Sequence, residues 1–259
     1  MFYPIRTIIT QDAEIDDQNS LRHILLYANE IEIQGIVQTS SIFHWKGQPG
    51  KIGPSDKADY DQPYRWTGTK WMQEVMDDYT VDYKHLVTHD SNYPSPDYLR
   101  SLIQIGNIGY PGEMDSSTPG SELIKERILD EDPRPLYIQV WGGTNTIARA
   151  LYDIEQEYKE NENWLSIKEK IENKVILTAC GEQDDTYQNY ISEVYPGMQF
   201  VKCVMMNSYG YGWNKMPEGS SKETLRADFM KDNILNIGAL MRGYASWADD
   251  KYYEGEEDR

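Results

Sequence analysis

Three aspartates lie within six residues near the N-terminus, at Asp12, Asp16 and Asp17. They follow a β-branched, apolar run at residues 7–10 and precede a helical pattern with one apolar stripe. Hard cations such as calcium bind several carboxylate and carbonyl oxygens, so the turn could direct Asp12 and Asp17 at one ion. Aspartate is also favoured at helix N-caps and in first turns, and helix capping is the alternative explanation.

Two further polar turns follow strand-like segments. Residues 141–145 read Trp-Gly-Gly-Thr-Asn after a predicted strand at 136–140, and residues 183–185 read Gln-Asp-Asp after one at 175–179. Open α/β sheets bind ligands beyond the carboxyl ends of their strands. We therefore expect these two turns and the aspartate turn to converge. A tight strand-to-helix turn and N-capping are the alternative explanations for the two later segments.

The hydrophobic periodicity predicts strands that alternate with helices. Further strands are predicted at 31–37 and 200–206, helices at 66–87, 95–106, 121–130, 146–159 and 185–194, and a long loop at 40–63. The pattern indicates an α/β fold with a mostly parallel open sheet flanked by helices. We expect a single domain over residues 1–259, with C-terminal truncation left open.

Composition narrows the classes of partner. The chain has 25 basic and 43 acidic residues, a formal charge of -18, which disfavours nucleic acid because phosphate contacts need clustered Lys and Arg. No apolar run approaches a membrane span, so no membrane partner is expected. The N-terminus has no signal-peptide pattern, so we expect a cytoplasmic protein unless the chain is a mature or truncated form of an exported one. Cys180 and Cys203 lie in apolar stretches and are expected to be buried free thiols.

The aspartate turn resembles the N-terminal motif of the nucleoside hydrolase superfamily. The chain departs from that pattern at Thr10, where the superfamily has Asp, and at Ala13-Glu14, where it has Pro-Gly. A closer resemblance is to the nucleoside-hydrolase-like domain of the cellulose-binding protein family. The segments that carry this resemblance occur in the right order over most of the chain, at residues 12–17, 93–99, 117–121, 140–145 and 183–186.

The resemblance implies a role for each residue of the turn. Asp12 would bind calcium and activate water, Asp16 would hold sugar hydroxyls, and Asp17 would bind calcium through both oxygens. The backbone carbonyl of Trp141 would be a further calcium ligand. The superfamily takes a last ligand from late in the chain, where this sequence offers only Glu256 in a Glu-Gly-Glu string.

Other candidates come from position and residue type. Gln183, Asp184 and Asn145 are candidates for contacts with substrate hydroxyls. His44, in the long loop, could donate a proton to a leaving group. Trp45, in the same loop, is a candidate for stacking on a sugar, as are Trp66 and Trp71 beside it.

The resemblance implies a calcium-dependent glycosidase that hydrolyses a glycosidic bond of a nucleoside or related sugar. The alternative is a non-catalytic carbohydrate-binding (cellulose-binding) module on the same scaffold. A metal-dependent phosphoesterase is disfavoured, since the chain lacks an obvious basic phosphate clamp. The expected partner is a small nucleoside or carbohydrate, and homo-oligomerisation is left open.

Overall fold

The structure is a computed structural model and describes residues 4–53, 59–203, 217–219, 223–224 and 227–245. The chain divides into two compact units. The first comprises Met1–Asp12, Ile31–Trp66 and Leu102–Cys203, and the second comprises Ala13–Glu30, Thr67–Ser101 and Val204–Arg259. The expected single domain over residues 1–259 stays a prediction.

Parallel strands form one six-stranded sheet in the first unit. In chain order the strands are β1 (Ile5–Gln11), β2 (Ile31–Gln38), β3 (Ile103–Ile105), β4 (Leu136–Val140), β5 (Val175–Ala179) and β6 (Gln199–Lys202). Their order across the sheet is β3-β2-β1-β4-β5-β6. The direction of strand succession therefore reverses between β1 and β4, which is where open α/β sheets form a binding crevice.

Helices connect most of these strands along the chain. They are α1 (Ile15–Leu25), α2 (Trp71–His89), α3 (Pro96–Ser101), α4 (Pro119–Leu129), α5 (Asn145–Tyr158), α6 (Trp164–Lys174), α7 (Ser192–Val194), α8 (Ala227–Asn233) and α9 (Ala239–Arg242). A π-helical turn, Tyr187–Ile191, leads directly into α7. The predicted α/β fold with a parallel open sheet is confirmed. No helix among these described residues is long and apolar enough to cross a membrane.

Buried and half-buried residues alternate along β4, which gives the strand one face toward the core of the first unit. Leu136, Ile138 and Val140 are buried, while the residues between them are half-buried, as expected for a strand with one apolar face. These side chains belong to one buried cluster with Ile147 and Leu151, which lie one helical turn apart on α5. Packing of this kind fixes α5, and with it the turn that joins β4 to α5.

An ion-pair network lies at the amino ends of the strands. Arg6 of β1 is 2% exposed and pairs with Asp130, and its Nε lies 3.5 Å from Oδ2 of Asp132. Lys174 Nζ lies 2.6 Å from Asp130 Oδ1, and Arg134 Nη2 lies 2.6 Å from Asp132 Oδ2. Burial alone would raise the pKa of Asp130, but hydrogen bonds from Lys174 and Arg6 hold it below its usual value. We call these five residues the amino-end network.

The second unit is helical in its described part. Arg22 of α1 lies 2.6 Å from Asp78 of α2 and donates to the Leu240 carbonyl at 3.0 Å. Asp82 accepts hydrogen bonds from the backbone amides of Ala239 and Leu240 at 3.0 and 2.9 Å. This carboxylate therefore satisfies amides at the start of α9, which have no partner within the helix. An ion pair therefore joins α1 to α2, and side-chain hydrogen bonds to the backbone join both helices to α9.

Several predicted boundaries were wrong. The helix expected over 95–106 ends at Ser101, and Ile103–Ile105 form β3 instead. Helix α6 was not predicted, although Trp164, Ile167 and Ile171 recur at helical spacing and pack in or against the buried cluster of the first unit. The helix expected over 185–194 begins as a π-helical turn. In the strand expected over 200–206, the described part ends at Lys202, and residues 204–206 lie outside the described residues.

Candidate functional site

The carboxyl ends of the central strands lie level with one another. Thr10 of β1 pairs with Val37 of β2 and with Val140 of β4, and Val140 pairs with Ala179 of β5. Asp12 follows β1, residues 141–144 follow β4, and residues 180–186 follow β5. The sheet therefore brings these segments of the first unit to one edge, at the reversal between β1 and β4.

Asp12 is a buried carboxylate beside a buried imidazole. Its side chain is 1% exposed, as is His44, and Asp12 Oδ2 lies 3.9 Å from His44 Nδ1. That distance is longer than a hydrogen bond but lies within ion-pair range. A tight turn in the loop after β2 fixes His44, whose carbonyl accepts from Ser41 N at 2.9 Å. The role of His44 as a proton donor stays a prediction.

The turn after Asp12 differs from the superfamily pattern in a physical way. Ala13 has φ of 72°, which a proline ring cannot adopt because it fixes φ near −65°. The next residue, Glu14, is buried and replaces the superfamily's glycine. Asp12 and His44, both in the first unit, are buried side chains that can each offer a ligand atom to a metal ion. The sequence did not lead us to select Glu14 as a candidate residue. A carboxylate at a position where the related motif has Gly could have indicated it.

Asp16 and Asp17 lie in the first turn of α1, in the second unit. Asp17 is 4% exposed and Asp16 is half-buried. Asp16 Oδ1 accepts from Asp17 N at 3.1 Å. This is the placement that helix capping also predicts, because acidic side chains interact favourably with a helix N-terminus. Their roles in metal and sugar binding stay predictions.

Two glycines let the turn after β4 pack tightly against two aspartates. A Cβ on Gly142 would lie 2.8 Å from Asp12 Cβ, closer than real side chains approach. A Cβ on Gly143 would collide with Asp184 Oδ2 and with the Ser40 carbonyl, to which Gly143 N already donates at 3.0 Å. Trp141 N donates to Thr10 O at 2.9 Å, which continues the pairing of β4 with β1. The turn is therefore held between Asp12 and Asp184.

Asp184 is satisfied by hydrogen bonds from its own chain. Asn145 N donates to Oδ2 at 2.8 Å, and the Thr144 hydroxyl, Thr186 N and the Thr186 hydroxyl donate to Oδ1 at 3.1, 3.1 and 2.8 Å. Asn145 N is the first amide of α5, so the carboxylate caps that helix from a distant segment. Burial nevertheless raises the pKa of Asp184.

Asn145 is fully buried and bridges three loops. Its Nδ2 lies within hydrogen-bond distance of Ser40 Oγ at 3.0 Å and of the carbonyls of Asn107 and Glu113 at 2.9 and 3.2 Å. These contacts use its amide protons within the chain. The structure thus brings Asn145 and Asp184 together, as the sequence analysis expected. Their contacts with substrate hydroxyls stay predictions.

The aromatic part of the long loop is an interior cluster. Trp45 is 2% exposed; its ring stacks on Tyr64 at 4.6 Å between centroids and meets Tyr60 edge-on at 5.3 Å. Its Nε1 donates to the Gln62 carbonyl at 2.9 Å. The prediction that Trp45 stacks on a sugar is wrong, because its ring is buried against Tyr64 and Tyr60 and its N–H is bonded within the loop. Trp66 is half-buried and Trp71 is buried.

Two other expectations have definite outcomes. Cys180 is half-buried and Cys203 is exposed, so the expectation of two buried thiols is wrong. No disulfide joins these two residues in the part of the chain that the structure describes. Glu256, the candidate for the late calcium ligand, lies outside the described residues.

The donor types at the carboxyl end fit a divalent cation. In the first unit, the Asp12 carboxylate and the Trp141 carbonyl are oxygen ligands of the kind that calcium prefers. His44 adds an imidazole nitrogen, which suits transition metals better than calcium. The residues therefore fit a metal ion.

Comparison with known proteins identifies the fold and the family of the chain. Its six-stranded parallel sheet is that of an α/β protein with a nucleoside-hydrolase-like fold. Residues 6–257 match the family described as "Cellulose-binding Sde182, nucleoside hydrolase-like domain", and the chain belongs to that family. A search of curated proteins gave no significant match.

Two solved structures are similar. One is a nucleoside hydrolase-related hypothetical protein from Saccharophagus degradans, associated with carbohydrate metabolism, with a TM-score of 0.72 and 23% identity over 98% of this chain. The chain spans 53% of that protein's length. The other is the inosine-uridine preferring nucleoside hydrolase of Bacillus anthracis, with a TM-score of 0.38 and 13% identity, covering 83% of this chain and 68% of that one. The first match supports the fold.

Proposed function

We propose that the chain is a calcium-dependent glycosidase that hydrolyses a glycosidic bond of a nucleoside or related sugar. The observation that carries this proposal is Asp12: a carboxylate 1% exposed, beside an imidazole, at the strand reversal of a nucleoside-hydrolase-like sheet. By resemblance, Asp12, Asp17 and the Trp141 carbonyl would hold the ion. Asp16 would hold sugar hydroxyls.

The chain's own groups would then divide the chemistry. A bound divalent cation supplies positive charge that lowers the pKa of a water at the site. Asp12 takes the proton of the attacking water as a general base. As the water adds to the anomeric carbon, positive charge develops on the sugar ring and is stabilised by nearby carboxylate oxygens. His44, 3.9 Å from Asp12, would supply a proton to the leaving group.

The test is Asp12→Asn, assayed for reducing-sugar release from nucleosides and aryl glycosides with calcium present. We expect turnover to be abolished while the melting temperature stays close to that of the wild type, because Asn keeps the shape of Asp. Asp185→Asn is the matched control: Asp185 is exposed with φ of 62°, a conformation that Asn tolerates, and it should retain full activity. Full activity in Asp12→Asn would contradict the role of Asp12 as the general base.

A second candidate is a carbohydrate-binding module without turnover, favoured by the cellulose-binding description of the family. It predicts retention on insoluble cellulose and no sugar release from any substrate, with or without calcium. The wild-type chain, assayed for both properties in the same buffer with calcium and with a chelator, separates the two functions. Sugar release that requires calcium decides for the glycosidase.

A further inference from the structure

Gln183 links three segments at the carboxyl edge of the sheet. Its Nε2 donates to the Trp141 carbonyl at 2.7 Å and to the Cys180 carbonyl at 3.2 Å. The backbone carbonyl of Gln183 accepts from Ile42 N at 2.8 Å. One residue therefore ties the end of β5 to the turn after β4 and to the loop after β2, the loop that carries His44.

The Trp141 carbonyl has little freedom beyond this hydrogen bond. On one side of its turn, Gly142 packs against Asp12 so closely that no Cβ would fit. On the other side, Gly143 packs against Asp184, whose carboxylate is fixed by four hydrogen bonds. The two glycines hold the turn against Asp12 and Asp184, and the hydrogen bond from Gln183 fixes the direction in which the Trp141 carbonyl points.

We infer that Gln183 is a positioning residue that holds the Trp141 carbonyl in place to serve as a metal ligand beside Asp12. A carbonyl oxygen has two lone pairs, so it can accept from Gln183 and still face a cation. Neighbours that hydrogen-bond to ligating groups orient them and tune metal affinity. The inference rests on the proposed function for the metal itself. It assigns to Gln183 a task different from the sugar contact that the sequence analysis predicted.

The variant Gln183→Met tests this with calcium alone, by calorimetric titration without substrate. Methionine keeps the length of the side chain but cannot donate to Trp141. We expect calcium affinity to fall about tenfold, within the 10- to 100-fold range typical for such neighbours. The calcium-free melting temperature should change little, because Gln183 Oε1 is buried without a hydrogen-bond partner among the described residues, and its removal offsets the lost donor.

Gln188→Met is the matched control, since Gln188 is exposed nearby and should bind calcium like the wild type. Gln183→Leu is a second variant that removes the donor without adding a charge. If Gln183→Met fails to fold, Gln183→Leu replaces it in the titration, and its calcium affinity should fall in the same way. Unchanged calcium affinity in a folded Gln183 variant would overturn the inference, and weakened ribose binding alone would assign Gln183 to the sugar. Absence of turnover in a wild type that binds calcium would instead overturn the proposed function.

Discussion

The two ends of the sheet stabilise their buried and half-buried carboxylates in different ways. At the amino ends, Asp130 is paired with Arg6 and Lys174, which carry permanent charges. At the carboxyl ends, Asp184 accepts from amides and hydroxyls, and Asp12 lies beside an imidazole. A buried carboxylate needs a compensating charge or hydrogen bonds. The amino end obtains the charge from its own chain, whereas the carboxyl end has the donor types to take a cation from solution.

The largest expected effect is at the amino end. Arg6→Met removes the buried guanidinium that pairs with Asp130. Because Lys174 still pairs with the half-buried Asp130, we expect a loss of about 3 kcal/mol, the lower end of the cost of breaking a buried ion pair. Chemical denaturation should show that loss in the free energy of unfolding. Arg100→Met is the control, because the Arg100–Asp77 pair is exposed and such pairs contribute about 1 kcal/mol or less. Equal losses of unfolding free energy in the two variants would contradict the expectation that the buried ion pair contributes more than the exposed one.

A smaller effect is expected for Asp184→Asn at the carboxyl end. The new amide must place a donor where Asn145 N or Thr186 donates now, which leaves one buried donor unsatisfied. Such a loss costs about 1–3 kcal/mol. Denaturation of Asp184→Asn beside Asp12→Asn measures it. If Asp184 is structural and Asp12 functional, Asp184→Asn loses more stability, and a larger loss in Asp12→Asn would contradict that division.

The smallest effect is the pH dependence of stability, whose sign should differ between the ends. The pKa of Asp130 is lowered in the folded chain, so its contribution is present above pH 4 and is lost as pH falls through the folded pKa. Burial raises the pKa of Glu113 despite a 2.6 Å hydrogen bond from Gly109 N. Its contribution is therefore present below its usual pKa and lost as pH rises through the folded value.

Unfolding between pH 3 and pH 7 checks these signs. Relative to the wild type, Asp130→Asn should lose stability as pH rises over this range, and Glu113→Gln should gain it. The same direction of change in both variants would contradict the contrast between the ends.

The sequence predicted those parts of the fold whose signals are local. Strands β4 and β5 were bounded correctly because their alternation and flanking turns are clear. Strand β3 was missed because three residues carry too short a pattern, and it is defined by pairing with β2. The turns at Asp12, Trp141 and Asp184 were located because each follows a predicted strand, and their role in ligand binding stays a prediction.

The partners of those site residues could not be predicted. Asp184 caps α5 from 39 residues away, and nothing near Asp184 in the chain indicates that contact. The left-handed φ of Ala13 likewise arises at a residue with no propensity for it. Contacts and strained conformations of this kind depend on packing, which sequence patterns do not encode locally.

A crystal structure of the chain grown with calcium chloride tests the proposed metal site most directly. We expect an ion about 2.3–2.6 Å from an Asp12 oxygen and from the Trp141 carbonyl. Anomalous scattering recorded from crystals grown with manganese instead would identify the site independently of the calcium density. Density for an ion elsewhere, or a Trp141 carbonyl turned away from a bound ion beside Asp12, would contradict the proposed metal site.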